Sequence, residues 1–413
     1  MNDPETAPSA VALRRLQASI KTQLPAYLAD LERLVNTDCG SYTPAGVNEI
    51  GRWVAAFLAD LGATVETRPD PAGWLGDTVI ATFDGAAGAP RVLLIGHLDT
   101  VFDPGTAAAR PFRIEAGMAY GPGVTDMKSG LLAGLYALKV LVEGGEPSAR
   151  SSLPFERLVF VANPDEEIGS PTSTPHIRAL APGMDVTLVL ECARANGDIV
   201  SARKGILDLR IAVNGRAAHA GVEPEKGRSA ILEAARIVRD LHALNGRWPG
   251  VTVNVGVIGG GTRPNVVAEH CSLQADVRGT SRQALEAAEA EIRRVAEATE
   301  VPDTSVEFEE MARWWPMEKL ARSGRLVAHA RWVADALGFG VEDASTGGAS
   351  DANTTSGMGI PSLDGLGPIG GNDHSPTEYL VVDSIVPRTT LLAGLLVAIA
   401  SDEEILGWRE SPG

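Results

Sequence analysis

The chain has 413 residues, 44% hydrophobic and 22% charged, with 36 basic and 53 acidic side chains and a formal charge of −17. Such a composition excludes a disordered or fibrous chain, and such a length exceeds the usual size of one core, so two domains are expected. The excess of acid repels phosphate backbones and anionic lipid, which argues against nucleic acid and membrane as partners.

The first residues, Met1-Asn2-Asp3-Pro4-Glu5, carry no basic segment leading into an apolar one, so no leader is expected. Leucines at helical spacing predict an amphipathic helix over residues 10–34, kinked or split at Pro25. A second helix is predicted over 47–61, closed by Gly62. Continuous apolar runs at 91–96, 158–162 and 186–190 read as buried strands, with a leucine-rich helix at 131–142 between the first two. This alternation predicts an α/β catalytic domain, a mostly parallel sheet with helices on both faces. Near Ser201 the period changes. Strand, helix, strand, strand, helix and strand follow at 206–213, 229–244, 252–258, 272–278, 282–299 and 304–309. That order is ferredoxin-like, and it predicts an inserted α+β domain at 203–312 between catalytic parts 1–202 and 313–413. Gly259-Gly260-Gly261 lacks the lysine and following helix of a phosphate loop and reads as a hairpin-type connection. The apolar run 391–400 is well short of the roughly 20 residues that span a bilayer, and the expected compartment is the cytoplasm.

Chemistry gathers where the apolar strands stop. His97-Leu98-Asp99 follows the first, Asn163-Pro164-Asp165-Glu166-Glu167 the second and Glu191 the third. Gly121-Pro122-Gly123-Val124-Thr125-Asp126 leads into the helix between them, and His374 lies in a late glycine-rich loop. Open α/β sheets bind ligands at the carboxyl ends of their strands, so these groups belong to one edge. Taken singly, each residue has a plain structural reading as a strand end or a solvated charge. Taken together, two histidines and several carboxylates offer the nitrogen and oxygen donors of zinc or cobalt. HExxH is absent, which excludes the helical single-zinc protease design, and GxSxG is absent too. The three cysteines, Cys39, Cys192 and Cys271, are far apart and form no CxxC, so neither a disulfide framework nor a thiolate zinc site is expected. The rival of a different class is a non-catalytic binding protein on the same fold.

HLDT, GPGVTDMKSG, NPDEEIGS, the glutamate of LECA and the late HSPTEYL, in this order, closely resemble the metallopeptidase family of carboxypeptidase G. That family also contains acetylornithine deacetylase, succinyl-diaminopimelate desuccinylase and aminoacylases. The resemblance implies two zinc ions per subunit, with cobalt or manganese as substitutes. It makes Asp126 a bridge, His97 and Glu191 the other ligands of one ion, and Glu167 and His374 those of the second. Asp99 would orient His97, and Glu166 would be the general base toward a water or hydroxide shared by the ions. In the inserted domain, a dimerisation or lid domain in similar enzymes, His219 would polarise the scissile carbonyl from the partner subunit of a homodimer. Asn265 and Arg278 would hold a substrate carboxylate, with Lys204 a further candidate near the hinge. Gly348, in Gly347-Gly348-Ala349-Ser350-Asp351, resembles a pocket loop of the carboxypeptidase branch. The implied activity is a carboxypeptidase releasing a C-terminal amino acid, glutamate first, from a small peptide or N-acyl amino acid. The alternative is an N-acyl-amino-acid deacylase or dipeptidase with the same metal pair.

Overall fold

A computed structural model describes residues 8–85, 87–144 and 153–410, and the segment read for a leader lies outside them. The elements begin with α1 (Ala10–Val35), α2 (Pro44–Asp60), β1 (Thr64–Arg68), β2 (Thr78–Asp84), β3 (Arg91–His97), the short α3 (Thr106–Ala109), β4 (Arg113–Glu115), β5 (Met118–Tyr120) and α4 (Ser129–Glu143). Then come β6 (Arg157–Asn163), α5 (Thr174–Leu180), β7 (Val186–Val189), β8 (Ile199–Arg203), β9 (Gly205–Asn214), α6 (Ala230–His242), β10 (Thr252–Gly260), β11 (His270–Gly279), α7 (Arg282–Glu297) and β12 (Ser305–Trp314). The chain ends with α8 (Ala321–Leu337), β13 (Asp343–Thr346), α9 (Asp351–Gly357), β14 (Ser362–Leu363), β15 (Gly370–Gly371), β16 (Tyr379–Val381) and α10 (Ile385–Ala400).

Two units form. One contains residues 1–201, 319–345 and 350–413, the other 202–318 and 346–349. The second unit runs past the expected end at 312, because β12 continues to Trp314 and Met317 bridges to Arg203. It also takes in Gly347 and Gly348, which the sequence reading assigns to the catalytic part.

The first unit is built on a six-stranded sheet of order β1-β2-β6-β3-β7-β14. β6, β3, β7 and β14 are parallel, while β1 and β2 add an antiparallel edge. Val92, Leu93, Leu94 and Ile95 of β3 are fully buried, so both faces of this strand are covered. Burial of each such side chain contributes about 1.5–3 kcal/mol, which fixes the central strands and hence their ends. Helices α1, α4, α8 and α10 pack together on one face. Residues 382–400 form a longer apolar stretch than the run 391–400 indicates. With 19 residues and a mean hydropathy of 1.6 it could cross a bilayer by length and composition, but 72% of it is buried inside the unit, as expected of a core helix. α1 does not break at Pro25. The proline lies on the exposed side of the helix, where water can satisfy the carbonyl it frees.

The second unit holds the antiparallel sheet β10-β11-β9-β12, with α6 and α7 packed on it. Along β9, Leu207, Leu209, Ile211 and Val213 are buried and their neighbours are not, which is the period-two signal of a strand with one covered face. Gly259 and Gly260 end β10, and Gly261 turns the chain at φ +74°.

Candidate metal centre

The parallel strands deliver three of the expected ligands, His97, Glu167 and Glu191. β3 ends at His97 opposite Asn163, the last residue of β6, and Glu191 lies two residues beyond β7. Asp126 and His374 arrive by another route, a small sheet of order β15-β16-β5-β4. β5 feeds the loop to Asp126, the hairpin β15–β16 carries His374, and β16 pairs directly with β5. A Cβ on Gly370 would sit 1.8 Å from Thr125 Oγ1, so glycine alone allows the hairpin this close to the Asp126 loop. Gly130 does the same at the start of α4, where a Cβ would lie 1.8 Å from the Leu190 carbonyl oxygen, beside Glu191.

The result is a convergent set. His97 Nε2 lies 3.1 Å from Asp126 Oδ1 and 3.7 Å from Glu191 Oε1. His374 Nε2 lies 3.2 Å from Asp126 Oδ2 and 3.0 Å from Glu167 Oε2. Asp126 therefore turns one oxygen to each histidine, and all five expected ligands meet. Donors around a four-coordinate zinc, each about 2.0–2.1 Å from the ion, are about 3.3 Å from one another, so these separations fit coordination edges. Glu166 completes the cluster within reach of His97 and Glu191.

The electrostatics of the metal-free cluster are those of acids crowded together. Burial, reinforced by Glu191, pushes the Glu166 carboxyl well above the usual range, and burial raises Glu167 as well. Hydrogen bonds to Asp126 and Glu167 raise the His374 imidazole to about 10. Burial works against the charge on Asp126, but hydrogen bonds from His374 and His97 outweigh it and hold that carboxyl low. Divalent cations would replace those protons and offset the crowding.

Asp99 is buried behind His97. The ring Nδ1 is 3.0 Å from the Asp99 carbonyl oxygen and 3.4 Å from its carboxylate, which leaves Nε2 toward Asp126. The Asp99 carboxylate also accepts from the backbone N–H of Glu166 at 3.1 Å and of Glu167 at 3.2 Å, and from Ser41 Oγ at 2.6 Å. One side chain thus orients a histidine and fixes the two glutamates. Three further positioning groups escaped the sequence reading. Glu378 is buried and accepts from the backbone N–H of Gly123, Thr125 and Asp126 at 2.8, 2.9 and 3.0 Å. Asp351 accepts from Ser170 and Asn163, which closes the loop 163–170 from below. Arg388, fully buried, donates to the carbonyls of Gly197, Gly365 and Gly367, and Gly367 N–H donates to the Glu191 carbonyl at 2.8 Å. Of these, Glu378 lay in the quoted HSPTEYL and Asp351 at the end of the loop quoted with Gly348, and nothing in their spacing marked either as a positioning acceptor.

Comparison with known proteins decides the family. Residues 201–304 match the model of a peptidase dimerisation domain. Carboxypeptidase G2 of Pseudomonas sp. (strain RS-16) is 31% identical over 402 residues, 95% of this chain and 94% of that protein. The chain belongs to the M20 family of metallopeptidases. Acetylornithine deacetylase of Proteus mirabilis (strain HI4320) is 27% identical over 62% of this chain and 67% of its own length. The crystal structure of aminopeptidase PepT from Bacillus cereus ATCC 10987 superposes with a TM-score of 0.74 at 25% identity, covering 91% of this chain and 99% of that one. This M20 protein is accordingly an enzyme, a metal-dependent carboxypeptidase or acyl-amino-acid hydrolase.

The other expected M20 site residues lie in the second unit. His219 is exposed in the segment after β9, bridged to Val266, with its Nδ1 accepting from Gly221 N–H at 3.2 Å. Asn265 is exposed, and its carbonyl accepts from Ala220 N–H at 3.1 Å, so the two expected residues share one loop pair. Arg278 is half-buried, and its guanidinium is already engaged, by the Asp276 carboxylate at 3.1 Å and the Gly347 carbonyl at 2.9 Å. Lys204 N–H donates to the Thr346 carbonyl, and the Gly348 carbonyl accepts from Arg203. Gly348 therefore joins the Arg203 strand by its backbone.

Proposed function

We propose that the protein holds two zinc ions per subunit, with cobalt or manganese as substitutes. With them it would release a C-terminal amino acid, glutamate first, from a small peptide or an N-acyl amino acid. The observation that carries the reading is Asp126, whose two oxygens face His97 and His374 separately, as a bridging carboxylate must. His97 and Glu191 would complete one ion's ligands, Glu167 and His374 the other's. Bound there, the ions supply Lewis acidity toward the scissile carbonyl and lower the pKa of water. Glu166, within reach of His97 and Glu191 and next to Glu167, is the proposed base, as the family resemblance implies. Glu166 takes the proton of the attacking water and returns it to the leaving amine. Asp99 keeps both the base and the His97 tautomer in place through the contacts described above.

Asn265 and Arg278 are the proposed anchors of the substrate carboxylate, with Lys204 and Gly348 as lesser contributors. Arg278 suits this by its planar fork, although Asp276 would compete for it. The proposed homodimer forms through the second unit. There β10 is an edge strand that exposes Val257 and Ile258, at 53% each, and pairing two such edges would cover them. His219 would then serve the partner's reaction as a hydrogen-bond donor to the developing oxyanion. A cytoplasmic location completes the reading. The deciding experiment is turnover of N-acyl amino acids and dipeptides by metal-stripped and reloaded protein. Activity should vanish with the metal and return with zinc or cobalt. Full activity in protein shown by elemental analysis to hold no metal would sink the reading. A preference for acetylornithine over C-terminal glutamate would move the enzyme to the deacylase branch.

A further inference from the structure

Of the chain's lysines only Lys128 is buried, at 1% exposure, and it lies two residues beyond Asp126. A lysine normally keeps its ammonium in water, and a buried one is normally paired with a carboxylate. Lys128 departs from that rule. Among the described residues its ammonium forms no ion pair. It donates instead to the Pro122 carbonyl at 2.9 Å and, more loosely, to the Thr37 carbonyl at 3.5 Å, and the buried Cys39 thiol is a third neighbour. Taking an ammonium out of water without a counter-charge works against folding. For the fold alone, an apolar side chain of the same length would fill this space at least as well.

The two carbonyls belong to segments that reach the cluster by different routes. Pro122 lies in the turn that leads to Asp126, and the backbone N–H of Lys128 closes that turn onto the Gly123 carbonyl at 3.1 Å. A Cβ on Gly123 would come within 3.2 Å of Lys128 Cε and 2.5 Å of Thr100 Cγ2, so the turn rests on the lysine stem and on the neighbour of Asp99. Thr37 opens the segment 37–41, in which the Cys39 carbonyl accepts from Thr100 N–H at 3.0 Å and Ser41 Oγ donates to the Asp99 carboxylate at 2.6 Å. Lys128 therefore joins the Asp126 loop to the segment that holds Asp99, on which the N–H groups of Glu166 and Glu167 also rest. Its charge complements Glu378 as well. That buried carboxylate takes the N–H groups of Gly123, Thr125 and Asp126, while Lys128 takes a carbonyl of the same loop. An anion at its N–H groups and a cation at its carbonyl hold the loop from opposite sides.

We propose that Lys128 is a positioning residue for the metal pair: through Pro122 and Thr37 it sets where Asp126 stands between His97 and His374, at the expense of stability in the metal-free fold. The inference rests on the reading of the cluster as a two-metal centre. Asp126 faces both histidines, so a displaced loop weakens both ions together. A group that served one ion alone, as Glu191 is expected to, would weaken only that one.

The test compares the full-length wild type with Lys128→Met, which keeps the apolar stem and removes the charge and the donors. Metal-free Lys128→Met should unfold at a denaturant midpoint no lower than that of the wild type. Its zinc affinity, measured by chelator competition, should nevertheless fall about 10–100-fold for both ions, the range typical of a group that orients metal ligands. Cobalt-loaded protein supplies a readout that a merely structural role would not move. The visible absorption bands of the ion should shift between wild type and variant, because they follow ligand geometry. Zinc affinity within about twofold of wild type, an unchanged cobalt spectrum, or a loss confined to one ion would overturn the proposal. So would a metal-free variant that unfolds at a clearly lower midpoint or does not fold, because Lys128 would then hold the fold rather than the loop. Failure of the metal reading shows itself separately: a wild type that binds neither zinc nor cobalt sinks the two-metal centre, and the proposal with it, before any variant is compared.

Discussion

Metal uptake by this enzyme should expel protons, and the structure sets how many. In the metal-free protein His374 Nε2 shares its proton with Asp126 and Glu167, at 3.2 and 3.0 Å, which raises the imidazole to about 10. His97 is raised well above its usual value too, since hydrogen bonds to Asp126 and Asp99 outweigh its burial. These nitrogens are the proposed donors to the ions, so each proposed site would have to displace one proton. The sign follows directly. Below the raised pKa the imidazole is protonated, a rise in pH removes the competing proton, and apparent affinity increases. Between pH 6.5 and 8 the logarithm of the apparent binding constant should therefore rise by about 1 per pH unit for each site. An unperturbed histidine of pKa about 6.5 would be only about one quarter protonated at pH 7, and its slope would fade by pH 8. Raised carboxyls at Glu166 and Glu167 can only steepen the dependence. Calorimetric titration with zinc in buffers of different ionisation enthalpy counts the protons, and chelator competition gives the slope. A slope below about 0.3 across this range would show that Asp126 and Glu167 hold no proton on His374.

Glu166→Gln should retain both metals by elemental analysis yet lose about 10²–10⁴-fold in kcat, because an amide cannot accept the water's proton. A loss below about tenfold would make Glu166 a bystander. Glu378→Ala leaves three buried N–H groups of the Asp126 loop without an acceptor. At about 1–3 kcal/mol each, denaturant unfolding should show a loss of roughly 3 kcal/mol or more, together with weaker metal binding, and an unchanged midpoint would refute the assignment. Arg278→Ala should harm substrates with a free carboxylate by roughly 2–5 kcal/mol while largely sparing amidated analogues. Equal losses on the two would mean that the Arg278–Asp276 pair is only structural. Mixing inactive His219→Ala with inactive Glu166→Gln and allowing subunit exchange should restore up to about a quarter of the sites, and no recovery despite measured exchange would exclude action across the dimer.

What the sequence made legible was local. His97, Glu166, Glu167 and Glu191 each follow an apolar run, and a parallel sheet must bring such strand ends to one edge. The period-two run of β9 likewise announced the second unit. What stayed hidden depends on contacts between distant segments. β15, with two residues, and β4, β5 and β16, with three each, are too short to carry a period. Yet their pairing is what carries His374 across 248 positions to Asp126. Glu378 sits on the same hairpin and works only because that pairing places it under Gly123–Asp126. The candidate ligands were thus written in the motifs, while their convergence comes from the glycines and buried acids that let those motifs meet. The left-handed backbone of Asn372 and His374, at φ +58° and +60°, belongs to the same account. A histidine held there costs of order 1 kcal/mol, offset by the β15–β16 pairing and the Glu378 hydrogen bonds that hold the hairpin. On that argument the cluster is assembled by the fold, and the metal ions proposed for it would only complete it.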